Sequence, residues 1–185
     1  MSTQVKNISK LMSLVLRHQP EYIGLTLNAN GWASVEELIN RMNSHGIAVN
    51  KTLLEEVVVT NNKQRFAFNE DKTLIRGSQG HSIAVDLELK ESLPPDILYH
   101  GSTVSSVELI MLTGIKKQSR QHVHLSQDTN TAQQVGARHG KPVVLQVNAK
   151  AMYDQGYRFY ISANKVWLTD EVPPQFISLK NASEK

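Results

Sequence analysis

Cysteine is absent from all 185 positions, which removes disulfides, thiolate metal ligands and a cysteine nucleophile from consideration. No apolar run approaches the roughly 20 residues that a membrane helix requires. The amino terminus, MSTQVKNISKLMSLVLRHQP, carries lysines but only a short apolar stretch broken by serine. It reads as neither a secretory leader nor a span, so cytoplasm is the expected location and no membrane partner is expected. GxGxxG and GxxxxGK[ST] are both missing, which excludes a Rossmann or P-loop phosphate cradle. The seven histidines show no HExxH or other paired spacing, so no metal site is expected. Charge is not segregated either: ten Lys+Arg stand against nine Asp+Glu through residue 90, and ten against eight beyond it. A formal charge of +3 admits a polyanionic partner. A phosphate would then be held by a few placed residues rather than by a broad basic face.

What is present is an ordinary globular composition, 40% hydrophobic and 20% charged, with no repeat and no low-complexity tract. Ile8, Leu11, Met12 and Val15 fall at helical spacing, with Asn7 or Ser9 as the expected cap, and the helix is expected to end at Arg17 and His18 before Pro20. A turn at Asn30-Gly31 precedes a second helix, opened by Ser34 and Glu37 as a capping box and stopped by Gly46. Asn50 caps a third, with Leu53, Leu54, Val57 and Val58 on its apolar face. The stretch KQRFAFNEDKTLIRG alternates and turns at Asn69 to Asp71, which predicts a β-hairpin with Phe66 and Phe68 on one face and Arg65 and Ala67 on the other. Three short helices and a hairpin are the element order of a winged-helix domain.

ESLPPD, residues 91 to 96, reads as a linker because its two prolines break any regular element. Beyond it ILYHG, HVHLS, PVVLQV, YRFYIS, KVWLT and QFISL read as strands, with VELIMLTG and TAQQVGARHG as helices between them. The expected fold class is α+β: a winged-helix lobe over residues 1–90 joined to a mixed α/β lobe over 97–180.

The residues that could carry chemistry each have an ordinary explanation when taken singly. Arg17 and His18 in the last turn of a helix complement its dipole. Arg65 suits the solvated face of a hairpin. Arg138, next to Gly140, suits a helix C-terminus. RGSQGHS, residues 76 to 82, is a glycine-containing loop whose backbone N–H groups could approach a pyrophosphate. YHGS, residues 99 to 102, and HVHLS, residues 122 to 126, both place histidine on a strand in apolar surroundings, where a hydrogen-bonded core histidine is the commoner outcome.

Their joint order is more specific than any member. SKLMSLVLRHQPE, GWASVEEL, KQRFAF, IRGSQGHS, LYHGS, HVHLS, VGARHGKPVVL and VWLT, spread over almost the whole chain, resemble the RNA 2′-phosphotransferase family. The resemblance implies a winged-helix lobe joined to an ADP-ribosyltransferase-like lobe, with NAD as co-substrate, no metal, and RNA bearing an internal 2′-phosphate as partner. A monomer is expected. The implied reaction has two steps. The 2′-phosphate attacks the nicotinamide ribose of NAD, expelling nicotinamide and leaving an ADP-ribosylated RNA 2′-phosphate. Transesterification then releases 2′-OH RNA and ADP-ribose 1″,2″-cyclic phosphate, a reaction that belongs to tRNA processing. The family's functional tetrad falls on Arg17, His18, Arg65 and Arg138. The cofactor-binding positions fall on Arg76, Gln79, Gly80, His81 and Ser82, on His100, Gly101 and Ser102, and on His124, Ser126 and Val166. Ser102 stands where threonine is common and keeps the hydroxyl. Val166 stands where many poly-ADP-ribose polymerases carry a catalytic glutamate, so no carboxylate is available there to activate a hydroxyl acceptor.

Guanidiniums suit such a role, being charged at any working pH and able to grip phosphate oxygens bidentately. Two other classes remain open to the sequence: an ADP-ribosyltransferase acting on another acceptor, such as a terminal phosphate of RNA or DNA, and a winged-helix nucleic-acid binder without catalysis.

Overall fold

A computed structural model describes residues 2–180. It is a mixed α/β structure of six α-helices and eleven short strands among the described residues. Every named strand pair is antiparallel. The chain divides into two compact units, Met1–Glu88 and Leu89–Lys185.

In the first unit α1 spans Thr3–Val15. Its apolar stripe runs back to Val5, so the helix continues through Asn7 and Ser9, the expected caps, and starts where the Ser2 hydroxyl accepts from Val5 N at 3.2 Å. It also stops sooner than expected. Leu16 is its C-cap, and Arg17 and His18 lie beyond it, in a turn where the amides of His18 and Gln19 both donate to the Leu14 carbonyl at 2.9 Å. The dipole explanation for these two cations therefore loses its premise of a place in the final helical turn.

The strand β1 (Ala33–Ser34) leads into α2 (Val35–Ser44). Ser34 caps it, accepting from Glu37 N at 3.3 Å. The reciprocal half of a capping box is not made, because the Glu37 carboxylate turns to Arg41 at 3.7 Å. In α3 (Lys51–Val59) Asn50 caps as expected, accepting from Leu53 N at 2.9 Å. The hairpin is β2 (Phe66–Phe68) and β3 (Leu74–Gly77), with Ala67 opposite Arg76 and Phe66 opposite Gly77. Arg65 precedes β2 rather than lying within it. With β1 added, the sheet order is β1-β3-β2. Ile8, Met12, Leu16, Leu38, Met42, Leu54 and Ile75 are wholly buried between helices and hairpin, each contributing about 1.5–3 kcal/mol of burial.

The second unit begins with bonds rather than a free linker: Glu91 bridges Tyr160, and Ser92 N donates to Phe159 O at 2.8 Å. Then come β4 (Ile97–Thr103), α4 (Val104–Thr113), β5 (Ile115–Lys116), β6 (Val123–Leu125), α5 (Thr129–Gly136), β7 (Pro142–Asn148), α6 (Ala149–Asp154), β8 (Tyr160–Ile161), β9 (Trp167–Thr169), β10 (Glu171–Val172) and β11 (Ile177–Leu179). Two three-stranded sheets, β11-β7-β4 and β6-β9-β8, form its centre. The amides of Tyr99 and Ser126 join them by donating to each other's carbonyls at 2.8 and 2.7 Å. Leu98, Leu125, Leu145, Val147 and Phe159 fill its core.

Candidate active site

Eight of the residues singled out from sequence lie in the first unit, and one loop gathers them. Residues 76–82 leave β3 and fold back on the end of α1. The Ser82 amide donates to the Arg17 carbonyl at 3.0 Å, and the Ser82 hydroxyl shares a hydrogen bond of 2.9 Å with His18 Nδ1. The Arg17 guanidinium donates from Nη1 to the Gln79 carbonyl and from Nε to Ser13 O, both at 3.4 Å. The same loop reaches Arg65 by its main chain, since Ser78 N donates to Arg65 O at 2.8 Å. Ser78 Oγ donates to Gln64 O at 2.7 Å, beside the left-handed Gln64 at φ 44°. Asn61, itself buried, accepts the Arg65 amide on its side-chain oxygen at 3.4 Å. Gly80 turns the loop at φ 84°, a conformation glycine adopts at no steric cost.

Arg76 points to its own unit: its guanidinium carbon stands 4.4 Å from the Trp32 ring centroid and Nη1 donates to Asn30 O at 3.4 Å. Burial lowers its pKa from the usual guanidinium range, with Glu88 opposing, and it remains a cation. His81 is 1% exposed, and neither ring nitrogen has a hydrogen-bond partner. Burial first, then the nearby charges of Arg17, His18 and Arg76, push its pKa down to about 4, against a weak opposing pull from the Leu16 carbonyl, which falls short of hydrogen-bonding geometry. The ring is neutral at neutral pH.

The other seven lie in the second unit. His100 Nδ1 is 3.0 Å from the His124 carbonyl oxygen. A carbonyl only accepts, so Nδ1 carries the proton. Burial holds the ring's pKa below the ordinary imidazole value, which leaves Nε2 as an acceptor. Gly101 and Ser102 face α5 at unusually short range. A Cβ at Gly101 would stand 1.8 Å from the Ala132 carbonyl oxygen, and one at Gly136 would stand 2.4 Å from Ser102 O. The two glycines therefore let helix and strand backbones touch. Arg138 follows two residues after Gly136, exposed, in the turn that ends α5. Ser126 sits at the bridge to Tyr99, and Val166 closes the turn into β9, its amide donating to Ser162 Oγ at 3.1 Å. Among the described residues no group of three or more His, Asp or Glu could hold a metal ion, and no helix is long and apolar enough to cross a membrane.

Sequence reasoning quoted Gly77, Ser78 and Gly136 inside motifs without giving them roles. The spacing of glycines in RGSQGHS and VGARHG is a signal of close backbone approach that could have found them.

The first unit thus holds Arg17 and His18 fixed by one loop, and the second a strand histidine of defined tautomer. The family model for RNA 2′-phosphotransferase, Tpt1 / KptA family, matches residues 2–171. A relative from Flavobacterium johnsoniae is 56% identical over 176 residues, covering 95% of this chain and 97% of its own. One from Hahella chejuensis is 52% identical over 183 residues, covering 99% and 98%. One from Fusobacterium nucleatum is 53% identical over 178 residues, covering 96% and 99%. All three carry the name "Probable RNA 2′-phosphotransferase". The chain belongs to the RNA 2′-phosphotransferase, Tpt1 / KptA family.

Proposed function

We propose that this protein removes an internal 2′-phosphate from RNA by transfer to NAD, its first unit working as a winged-helix lobe and its second as an ADP-ribosyltransferase-like lobe. Beside family membership, the observation that carries this reading is the fixing of Arg17 and His18 by residues 76–82. An arginine and a histidine held this way after a helix has ended are organised for an anion rather than for the helix.

A 2′-phosphate oxygen attacks the ribose carbon that bears nicotinamide, and the bond from that carbon to nicotinamide breaks, leaving an ADP-ribosyl phosphodiester on the RNA. A ribose hydroxyl then attacks the phosphorus, the RNA 2′-oxygen leaves with a proton, and ADP-ribose 1″,2″-cyclic phosphate is released. NAD supplies the electrophilic carbon and the leaving group. Arg17 and Arg65 of the first unit hold the phosphate and offset the charge that grows on it in the second step, where loss of one such donor typically costs about 10²–10³ in rate; Arg138 of the second unit is the family's fourth functional position and serves that step. His18, oriented by Ser82, gives a proton-bearing contact to the phosphate or to the leaving 2′-oxygen.

The second unit's donor set suits NAD. His100 offers an acceptor at Nε2 for a ribose hydroxyl, Ser102 and Ser126 offer hydroxyls, and His124 and Val166 are assigned to the cofactor by the family resemblance. In the first unit Arg76, Gln79, Gly80, His81 and Ser82 were expected on the cofactor. Besides that role, Gln79 and Ser82 help to hold Arg17 and His18, while Arg76 packs on Trp32 and donates to Asn30.

The test is incubation with NAD and a short RNA carrying one labelled internal 2′-phosphate, followed by separation of products. Label in ADP-ribose cyclic phosphate supports the complete transfer. Label retained on RNA as a stable ADP-ribosyl adduct favours transfer to other phosphate acceptors, and no consumption of NAD favours a binding role.

A further inference from the structure

We infer that Gly77 and His81 are positioning residues: together they form a seat for the aliphatic stem of Arg17, and through it they aim the guanidinium. The seat is read from geometry, whereas its effect on rate rests on the function proposed above. A Cβ at Gly77 would stand 2.6 Å from Arg17 Cγ, 3.0 Å from Arg17 Cδ and 3.1 Å from His81 Nε2. Gly77 lies in β3 opposite Phe66, in strand backbone that any residue adopts, so the space and not the conformation calls for glycine. The atoms it would strike are at the base of the arginine side chain. A methyl there displaces the whole chain rather than its flexible tip.

His81 borders the same point, its Nε2 standing 3.1 Å from where a Cβ at Gly77 would lie. It is buried, with neither ring nitrogen hydrogen-bonded to another protein group, and we take its bulk as the part that matters to the seat. Remaining neutral, it adds no charge beside Arg17, His18 and Arg76. The stem thus passes against Gly77, with His81 beside the same glycine, while Gln79 O and Ser13 O take the polar end.

A thermal-melting cycle of the full chain decides whether the seat exists, independently of any activity. Gly77→Ala is expected to lower the melting temperature by about 5 °C or more in the parent and by much less in an Arg17→Ala background, where the stem is gone. An equal loss in both backgrounds, or a double variant that does not fold, overturns the inference. A Gly77→Ala variant that fails to fold while the double variant folds supports it.

For the aiming role, labelled 2′-phosphorylated RNA and NAD are the probes. Gly77→Ala and His81→Ala are expected to lower kcat at least tenfold with less than threefold change in KM for NAD, and His81→Leu, which restores bulk without nitrogen, to recover most of that loss. His81→Leu as impaired as His81→Ala would show that the ring acts through its nitrogens and would overturn the seat. If the parent protein leaves this RNA untouched, the proposed function fails, and the melting cycle still decides the seat.

Discussion

His18 and Ser82, 64 positions apart in sequence, share a 2.9 Å hydrogen bond between Nδ1 and Oγ. The same serine's amide holds the Arg17 carbonyl at 3.0 Å. One residue therefore touches both Arg17 and His18, the histidine by its side chain and the arginine by its backbone.

Replacing Ser82 with alanine removes only the side-chain half. A neutral hydrogen bond contributes about 0.5–1.5 kcal/mol to stability, so the melting temperature should fall by roughly 1–6 °C, and an equal loss in orienting His18 lowers kcat/KM on 2′-phosphorylated RNA about 2- to 12-fold. Ser82→Thr should retain most of the activity. Steady-state rates of the two variants at neutral pH check this.

Stability should depend on pH through His81. Its folded-state pKa, pushed down to about 4, lies below the ordinary 6.5 of the unfolded chain. Between these values the unfolded chain binds a proton that the folded chain refuses, so stability rises with pH across this window. The contribution is fully present above pH 6.5 and is lost progressively as pH falls toward 4, by roughly 3 kcal/mol in all at about 1.36 kcal/mol per pH unit. Burial moves His100 and His122 in the same direction. Urea unfolding at pH 7 and pH 5 should show the fall, and His81→Leu should flatten it by the His81 share.

Gly101→Ala should be among the most damaging single methyl additions in the chain. The new atom would stand 1.8 Å from the Ala132 carbonyl oxygen, so α5 has to move off β4. Overpacking of this kind costs about 1–3 kcal/mol and occasionally more, and the backbone identity of the obstacle places this case at or above the upper end. Denaturant unfolding should show a lower midpoint at unchanged slope.

Arg138→Ala should leave folding intact, because the side chain is exposed in the turn after α5. In the labelled-RNA assay it should slow the second step by about 10²–10³, so that label accumulates on RNA as the ADP-ribosyl adduct. Equal slowing of nicotinamide release and of cyclic phosphate formation would remove the assignment to the second step.

Much of the fold was legible because local chemistry set it. Asn50 and Ser34 cap where their side chains reach an orphan amide, and the alternation of Phe66 and Phe68 made a hairpin. Other features depend on contacts that no local pattern carries. The true start of α1 at Ser2 lay hidden because Asn7 and Ser9 are equally good capping types, and only the burial of Val5 extends the helix past them. The helix α6 went unread although Asn148 caps it, its side chain accepting from Ala151 N at 3.2 Å, because six residues are too few to show a period. The candidate residues were legible by type and motif, but their grouping was not. RGSQGHS was expected to meet a cofactor, and its bonds to Arg17, His18 and Arg65 span separations that composition and spacing do not encode.

The buried apolar core of the first unit ends, in chain order, at Ile75, and the loop that fixes Arg17 and His18 occupies the next seven residues. As the chain is synthesised from its amino terminus, every side chain of that core is already present before the first of those partners exists. The setting of Arg17 and His18 is therefore completed only after the residues of that apolar cluster have been made. An interruption of synthesis at Ile75 would yield Arg17, His18 and the apolar cluster beneath them, and none of the loop's bonds to Arg17 and His18.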